Sequence, residues 1–125
     1  MSNDITLGII GSGQLGTELV RSAKKIGINK IIVLSDDKDG PAQNFCDEYI
    51  YSDYKNNSNL KKFINKIDIC TYEFENLPLE ILNTINQSKK VYPNPNCLRI
   101  AQNRALEKSF ANKLDIKSTE WENIK

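Results

Sequence analysis

The hydrophobic positions of the chain change their spacing repeatedly, which predicts strands that alternate with helices. Short, continuous apolar runs are typical of buried strands, whereas apolar residues three or four positions apart are typical of helices. The runs that predict strands are 5–10, 30–34, 48–52, 68–72 and 91–92, with 48–52 expected at a sheet edge. The stripe that predicts the first helix is Leu15, Leu19, Ala23 and Ile26. Alternation of this kind is typical of parallel βαβ units.

Several residues between these runs predict where the helices begin and end. Ser58 and Asn96 are predicted N-caps, because their side chains can accept a hydrogen bond from a backbone N–H of the first turn. Gly27 suits a left-handed C-terminal cap, and Pro78 suits the first turn of a helix. A break near Asn103 is expected to divide the last helical stretch.

The whole pattern predicts one α/β domain, a Rossmann-like parallel sheet flanked by helices. The length of 125 residues leaves room for one domain with a modest core. Residues 118–121 (Ser-Thr-Glu-Trp) break the pattern. We therefore expect the Rossmann-like domain over 1–115, and a linker or the beginning of another domain over 116–125.

A glycine-rich sequence, residues 11–16 (Gly-Ser-Gly-Gln-Leu-Gly), directly follows the first predicted strand and opens the first helix. Backbone N–H groups at such a turn, together with the helix dipole, suit a phosphate or another anion. The three glycines have the spacing of the dinucleotide fingerprint, and Asp36 ends the second strand, where a ribose-binding acid would lie. An NAD-type dinucleotide-binding module is therefore one hypothesis. Another is that the glycines only permit a tight turn and close helix packing.

A second group of polar residues, 71–78 (Thr-Tyr-Glu-Phe-Glu-Asn-Leu-Pro), follows the fourth predicted strand. Glu73 and Glu75 should therefore lie at the same sheet edge as the glycine loop. Alternation along an extended segment would place both acids on one side and Phe74 on the other. Two carboxylates near an anion site suit a ligand with phosphate at one end and hydroxyls or an amine at the other. The alternative is that Glu75 and Asn76 cap the next helix and Glu73 is solvated.

Composition excludes several classes of function. The net charge of +1 with mixed signs predicts no nucleic-acid partner, and no apolar run approaches the ~20 residues needed to span a membrane. The cysteines Cys46, Cys70 and Cys97 are odd in number and widely separated. This spacing argues against a disulfide framework or a metal site and favours reduced thiols in a cytoplasmic protein. Because the chain has no histidine, acid–base chemistry would need carboxylates, lysines or an external group.

Three blocks taken together resemble a known enzyme family. They are residues 13–16 (Gly-Gln-Leu-Gly), 71–78, and 91–93 (Val-Tyr-Pro) leading through Leu98 to 102–110 (Gln-Asn-Arg-Ala-Leu-Glu-Lys-Ser-Phe), in the order expected and across essentially the whole chain. They are similar to the N5-carboxyaminoimidazole ribonucleotide synthases, which are ATP-grasp ligases of purine biosynthesis. The 71–78 block is the most specific of the three. The resemblance implies that the chain corresponds to the amino-terminal pre-ATP-grasp domain.

The resemblance also implies a reaction and a set of partners. The family uses ATP, Mg²⁺ and bicarbonate to carboxylate the exocyclic amine of 5-aminoimidazole ribonucleotide. The resemblance is also compatible with a homodimer. The lysines and magnesium carboxylates of the ATP-grasp region would lie beyond Lys125. The segment is therefore expected to bind the ribonucleotide and not to be catalytic alone.

The resemblance also assigns roles to individual residues, by their positions in the three blocks. The residues to which the resemblance assigns ribonucleotide binding are Gly13, Gln14, Leu15, Glu73 and Glu75. Arg104 matches an arginine that reaches the ATP phosphates, a role suited to a permanently charged, forked group. The alternative for Arg104 is an ordinary surface arginine on a helix.

The sequence departs from the family pattern at two places. Thr17 and Glu18 stand where the family usually carries an Arg-Met pair, which favours the related formate-dependent glycinamide ribonucleotide transformylases. The Glu-Phe-Glu-Asn sequence at 73–76 favours the carboxylating enzymes. Asn103 also stands where an acidic residue is commoner.

Overall fold

The computed structural model describes residues 4–122 and 124, and its centre is a parallel sheet of five strands in the order β3-β2-β1-β4-β5. The strands are β1 (Thr6–Ile10), β2 (Lys30–Ser35), β3 (Glu48–Tyr51), β4 (Ile69–Tyr72) and β5 (Lys90–Val91). The predicted α/β class, the parallel sheet and the edge position of the third strand are confirmed. In this order the carboxyl ends of β1 and β4 are neighbours, which brings the glycine loop beside the segment that follows β4.

The connections between the strands are helical. The helices are α1 (Gln14–Lys25), a 3₁₀ turn (Pro41–Asn44), α2 (Asn57–Lys66), α3 (Leu79–Asn86), α4 (Pro95–Ala101) and α5 (Arg104–Lys113). Gly27 has φ +90° just after α1, and the break near Asn103 separates α4 from α5, as predicted. Within the described part of the chain, none of the helices is long and apolar enough to cross a membrane.

Both faces of the sheet are covered, which explains why the central strands are almost continuously apolar. On one face, Phe63 of α2 and Leu82 of α3 are fully buried in a cluster that includes Ile10 of β1. On the other face, Val20 of α1 packs with Ile9 of β1. The side chains of β1 therefore alternate between two cores, as strand geometry requires.

The buried face of α1 differs from the predicted stripe. Leu15 and Ile26 are 64% and 79% exposed, whereas Gly16, Val20 and Ala23 are buried. The cause is close packing at the beginning of the helix, because a Cβ on Gly16 would lie 2.7 Å from the carbonyl oxygen of Gly11. The helix turns Gly16, Val20 and Ala23 to the sheet, so Leu15 and Ile26 of the predicted stripe lie outside its buried face. Leu15 is consequently free to line the site.

Two predicted N-caps are also wrong, each by two residues. Asn56 caps α2, and its side chain accepts a 3.1 Å hydrogen bond from the N–H of Asn59. Asn94 caps α4 and accepts a 2.9 Å bond from the N–H of Asn96. Asparagine and serine are comparable caps, so residue type alone did not distinguish Asn56 from Ser58.

The last described residues carry no regular structure. Residues 116–122 form neither helix nor strand, and α5 has no buried residue. Its apolar side chains Leu106 and Phe110 are 36% and 48% exposed. A domain boundary at residue 115 stays a prediction.

Candidate functional site

The glycine loop, residues 11–16, holds an anion that the chain itself supplies. The carboxylate of Glu73, directly after β4, reaches the loop with both oxygens. Its Oε1 accepts a 2.8 Å hydrogen bond from the N–H of Gly13, and its Oε2 accepts another from the N–H of Gly16. The N–H of Glu73 in turn donates to the carbonyl of Ile10 at 3.1 Å. The predicted anion site therefore exists, and an internal carboxylate occupies it.

The three loop glycines are needed because Glu73 packs against them. A Cβ on Gly11 would lie 2.4 Å from Cγ of Glu73, and one on Gly16 would lie 2.9 Å from Oε2. A Cβ on Gly13 would lie 3.1 Å from Oε1. Gly11 also has φ +100°, a conformation that side chains other than glycine rarely adopt. The fingerprint spacing thus has a structural cause that involves no pyrophosphate.

The region between the glycine loop and Asp36 is filled by protein. The Ser12 hydroxyl lies 2.8 Å from that of Ser35 and accepts a 2.9 Å bond from Tyr49. The carbonyl of Ser12 accepts a 3.0 Å bond from Ala42 in the 3₁₀ turn. Asp36 itself is exposed. On this side the hydroxyl network and the 3₁₀ turn pack against Ser12 of the glycine loop.

On the other side of Glu73 the sheet edge is open, and a cavity of about 620 Å³ lies there. We call it the Leu15 cavity. Its lining residues are Leu15, Tyr72, Glu73, Phe74, Glu75, Asn76, Pro93, Cys97, Leu98 and Ala101. A largely apolar wall with a few carboxylates is typical of sites for small organic ligands.

Beside this cavity, the first turn of α1 has backbone N–H groups that Glu73 does not bind. Glu73 accepts from Gly13 and Gly16, but the N–H groups of Gln14 and Leu15 bond to none of residues 4–122 and 124. Both residues are exposed. The positive end of the α1 dipole can therefore still receive an acceptor from a ligand.

The predicted pair of acids is only partly arranged as expected. Glu73 and Glu75 both line the Leu15 cavity, but so does Phe74, whose ring also lies 6.4 Å from that of Tyr54. Glu75 is exposed and lines a second, larger cavity of about 1000 Å³. This second cavity lies between the segment after β4 and the junction of α4 with α5.

Arg104 lies at the rim of the second cavity, as the first residue of α5. Its side chain is 85% exposed, and Nη1 lies 2.5 Å from Oε2 of Glu107. The hydrogen bond with Glu107 raises the pKa of Arg104, so the guanidinium stays charged. The role of Arg104 in ATP binding stays a prediction.

Two residues of the site were not singled out from the sequence. Cys97 lines the Leu15 cavity, and the Nε2 of Gln102 donates to the carbonyls of Glu75 and Leu77 at 2.6 and 2.7 Å. Gln102 belongs to a block of the family resemblance, but no spacing pattern shows a contact between segments this far apart in the chain.

The magnesium ion that the family resemblance implies does not fit these residues. Among residues 4–122 and 124, no three side chains of the metal-binding types cluster closely enough to hold an ion.

Fold and site together define an α/β class with a Rossmann-like parallel sheet and a cavity at the carboxyl edge of that sheet, where such folds bind ligands. Residues 4–102 match the family model of the ribonucleotide synthetase preATP-grasp domain. The chain therefore belongs to this domain family.

Curated and solved relatives agree with this assignment. The N5-carboxyaminoimidazole ribonucleotide synthase of Pseudomonas aeruginosa is 33% identical over 94% of this chain, which spans 32% of that protein. The Thermotoga maritima synthetase of the same name superposes with a TM-score of 0.80 at 32% identity, over 90% of this chain and 31% of its own. The Aspergillus clavatus enzyme, in complex with ADP and 5-aminoimidazole ribonucleotide, gives 0.78 at 27% identity over 91% and 30%. The chain thus spans about a third of these relatives.

Proposed function

We propose that the Leu15 cavity binds 5-aminoimidazole ribonucleotide, and that the chain is the substrate-binding part of an ATP-dependent carbon–nitrogen ligase. The ligase would use bicarbonate to carboxylate the amine of this ribonucleotide. The observation that carries the proposal is the position of Glu73, which is fixed by the glycine loop and also lines the cavity. The names of the similar proteins favour the carboxylating enzymes over the formate-dependent ones.

The chemistry of Glu73 suits an amine or hydroxyl ligand. An ionised carboxylate has about four lone-pair positions, and the loop N–H groups use two of them. The remaining positions can accept hydrogen bonds from ribose hydroxyls or from the aminoimidazole. The N–H groups of Gln14 and Leu15 supply donors for the polar oxygens of the same ligand. Gly13 contributes indirectly, because its N–H holds Glu73 in place.

We assign ATP to the second cavity, which Arg104 lines. Arg104 would exchange its bond with Glu107 for a phosphate oxygen, and Glu75 lies between this arginine and the Leu15 cavity. The described residues provide no magnesium site. We therefore propose that Mg²⁺, most of the ATP contacts and the ligation itself need the further length that the relatives have.

The geometry argues against the dinucleotide hypothesis. A pyrophosphate at the glycine loop would have to displace the carboxylate of Glu73, which already accepts hydrogen bonds from the N–H groups of Gly13 and Gly16.

Calorimetric titration with 5-aminoimidazole ribonucleotide and with NAD tests the proposal. We expect the ribonucleotide to bind and NAD not to bind. Glu73→Ala should weaken ribonucleotide binding at least about tenfold, which corresponds to one lost charge-assisted hydrogen bond. Asp36→Ala, an exposed acid on the filled side, should leave it unchanged. Binding of NAD that is abolished by Asp36→Ala would refute the proposal.

A further inference from the structure

The segment 73–78 joins β4 to α3 without helix or strand, yet it carries both acids of the site. Its ends are held by backbone bonds. The N–H of Glu73 donates to Ile10 at 3.1 Å, and the carbonyl of Pro78 accepts from Ile81 at 3.2 Å. The backbone between these ends needs another support if Glu75 is to keep one position.

That support comes from the side chain of Gln102. Its single amide nitrogen donates to the carbonyl of Glu75 at 2.6 Å and to that of Leu77 at 2.7 Å. Among residues 4–122 and 124, these are the hydrogen bonds found to the backbone of 74–77. A primary amide has two N–H donors, so one side chain satisfies both carbonyls.

Gln102 is itself held at the junction of two helices. Its N–H donates to the carbonyl of Leu98 at 2.9 Å and so caps α4. Asn103 then caps α5 by accepting from the N–H of Leu106 at 3.1 Å. Arg104 is the first residue of α5. The amide of Gln102 therefore connects the helix that begins with Arg104 to the segment that carries the two acids.

We propose that Gln102 is a positioning residue that sets Glu75, and with it the wall between the two cavities, relative to Arg104. This inference rests on the proposed function, which places the ribonucleotide in the Leu15 cavity and ATP at the second cavity. Gln102 lines the second cavity, but its amide nitrogen is already bonded to the two carbonyls of the segment. It acts through the two carbonyls, so that loss of its donors loosens the 73–78 segment without opening the core.

Gln102→Glu tests the proposal with little change in shape. The carboxylate would place an oxygen against two carbonyl oxygens, where the amide had donors. Gln102 is exposed, so the fold should survive the substitution. Gln87→Glu is the matched control, because Gln87 is exposed at the C-terminal end of α3, near the amino-terminal end of β5 and away from the carboxyl edge of the sheet.

Two readouts decide the outcome. NMR order parameters of the 74–77 amides report segment rigidity directly, and calorimetry reports the affinity for 5-aminoimidazole ribonucleotide. We expect Gln102→Glu to lower the order parameters from about 0.85 towards 0.6 and to weaken binding about tenfold. The melting temperatures of both variants should stay close to that of the original protein, and Gln87→Glu should change neither readout.

Other outcomes separate the two proposals. If the original protein binds the ribonucleotide and Gln102→Glu leaves rigidity or affinity unchanged, the positioning role is wrong. If the original protein does not bind it but Gln102→Glu still loosens 74–77, Gln102 holds the segment and the proposed function fails.

Discussion

Glu73 does in this fold what a bound phosphate does in many glycine-loop proteins. Its carboxylate satisfies two backbone donors at the beginning of α1 and places a negative charge at the positive end of the helix dipole. The glycine pattern could predict that an anion belongs there. It could not identify the anion, because Glu73 is 60 residues from Gly13 in the chain.

Replacement of Glu73 should therefore reduce stability as well as binding. Glu73→Gln keeps one carbonyl oxygen but turns an NH₂ group towards a backbone donor. We expect the free energy of unfolding to fall by about 1–3 kcal/mol, since one donor loses its partner. Urea unfolding measures the change. Glu75→Gln is the control, because Glu75 is exposed, and a loss there as large as at Glu73 would contradict the anchoring role.

The glycine at position 11 provides a second test. Gly11 and Gly27 both have positive φ, but only Gly11 has Glu73 within reach of an added Cβ. Gly27→Ala should cost about 1–2 kcal/mol for the left-handed conformation alone. Gly11→Ala should cost about 1–3 kcal/mol more, because the Cβ would meet Cγ of Glu73 at 2.4 Å. Equal losses in urea unfolding would show that Glu73 does not pack there.

At the scale of elements, the strands were easier to predict than the faces and ends of the helices. The strands β1 and β2 are buried on both sides, so continuous apolar runs identify them. The orientation of α1 depends instead on how closely Gly16 approaches Gly11. The spacing of apolar residues along the chain gives no information about this approach. Two residues of the predicted stripe, Leu15 and Ile26, therefore lie outside the buried face of α1.

The N-cap of α2 can be checked with a pair of alanine substitutions. Asn56→Ala removes the side-chain acceptor of the Asn59 N–H and should cost about 1 kcal/mol. Ser58→Ala, at the position that the sequence predicted, lies within the first turn and should change the unfolding free energy by less than about 0.5 kcal/mol. A larger loss from Ser58→Ala than from Asn56→Ala would place the beginning of α2 elsewhere.

At the scale of the whole molecule, the carboxyl edge of the sheet has a filled side and an open side. Ser12, Tyr49 and the 3₁₀ turn fill the side of β2 and β3. The Leu15 cavity opens on the side of β4 and β5. Alternating strands and helices predict a ligand site at this edge. Which side is open depends on contacts between distant segments, and the sequence pattern does not contain them.

The three cysteines differ in exposure, and one of them lies in the Leu15 cavity. Cys97 is exposed in the Leu15 cavity, and Cys46 is partly buried on the side of β3. Cys70 is fully buried, and burial raises the pKa of its thiol, so it should not react. Burial also raises the pKa of Cys46 and should make it slower to react than an exposed thiol. A thiol reagent therefore reports on the Leu15 cavity through Cys97, and Cys46, which precedes β3 at the amino-terminal edge of the sheet, serves as an internal reference.

The most direct measurement is the rate at which N-ethylmaleimide modifies each cysteine, followed by mass spectrometry of the peptides. Saturating 5-aminoimidazole ribonucleotide should slow the modification of Cys97 several-fold and leave Cys46 unchanged, while NAD should change neither. An unchanged Cys97 rate with bound ribonucleotide would show that the ligand does not occupy the Leu15 cavity.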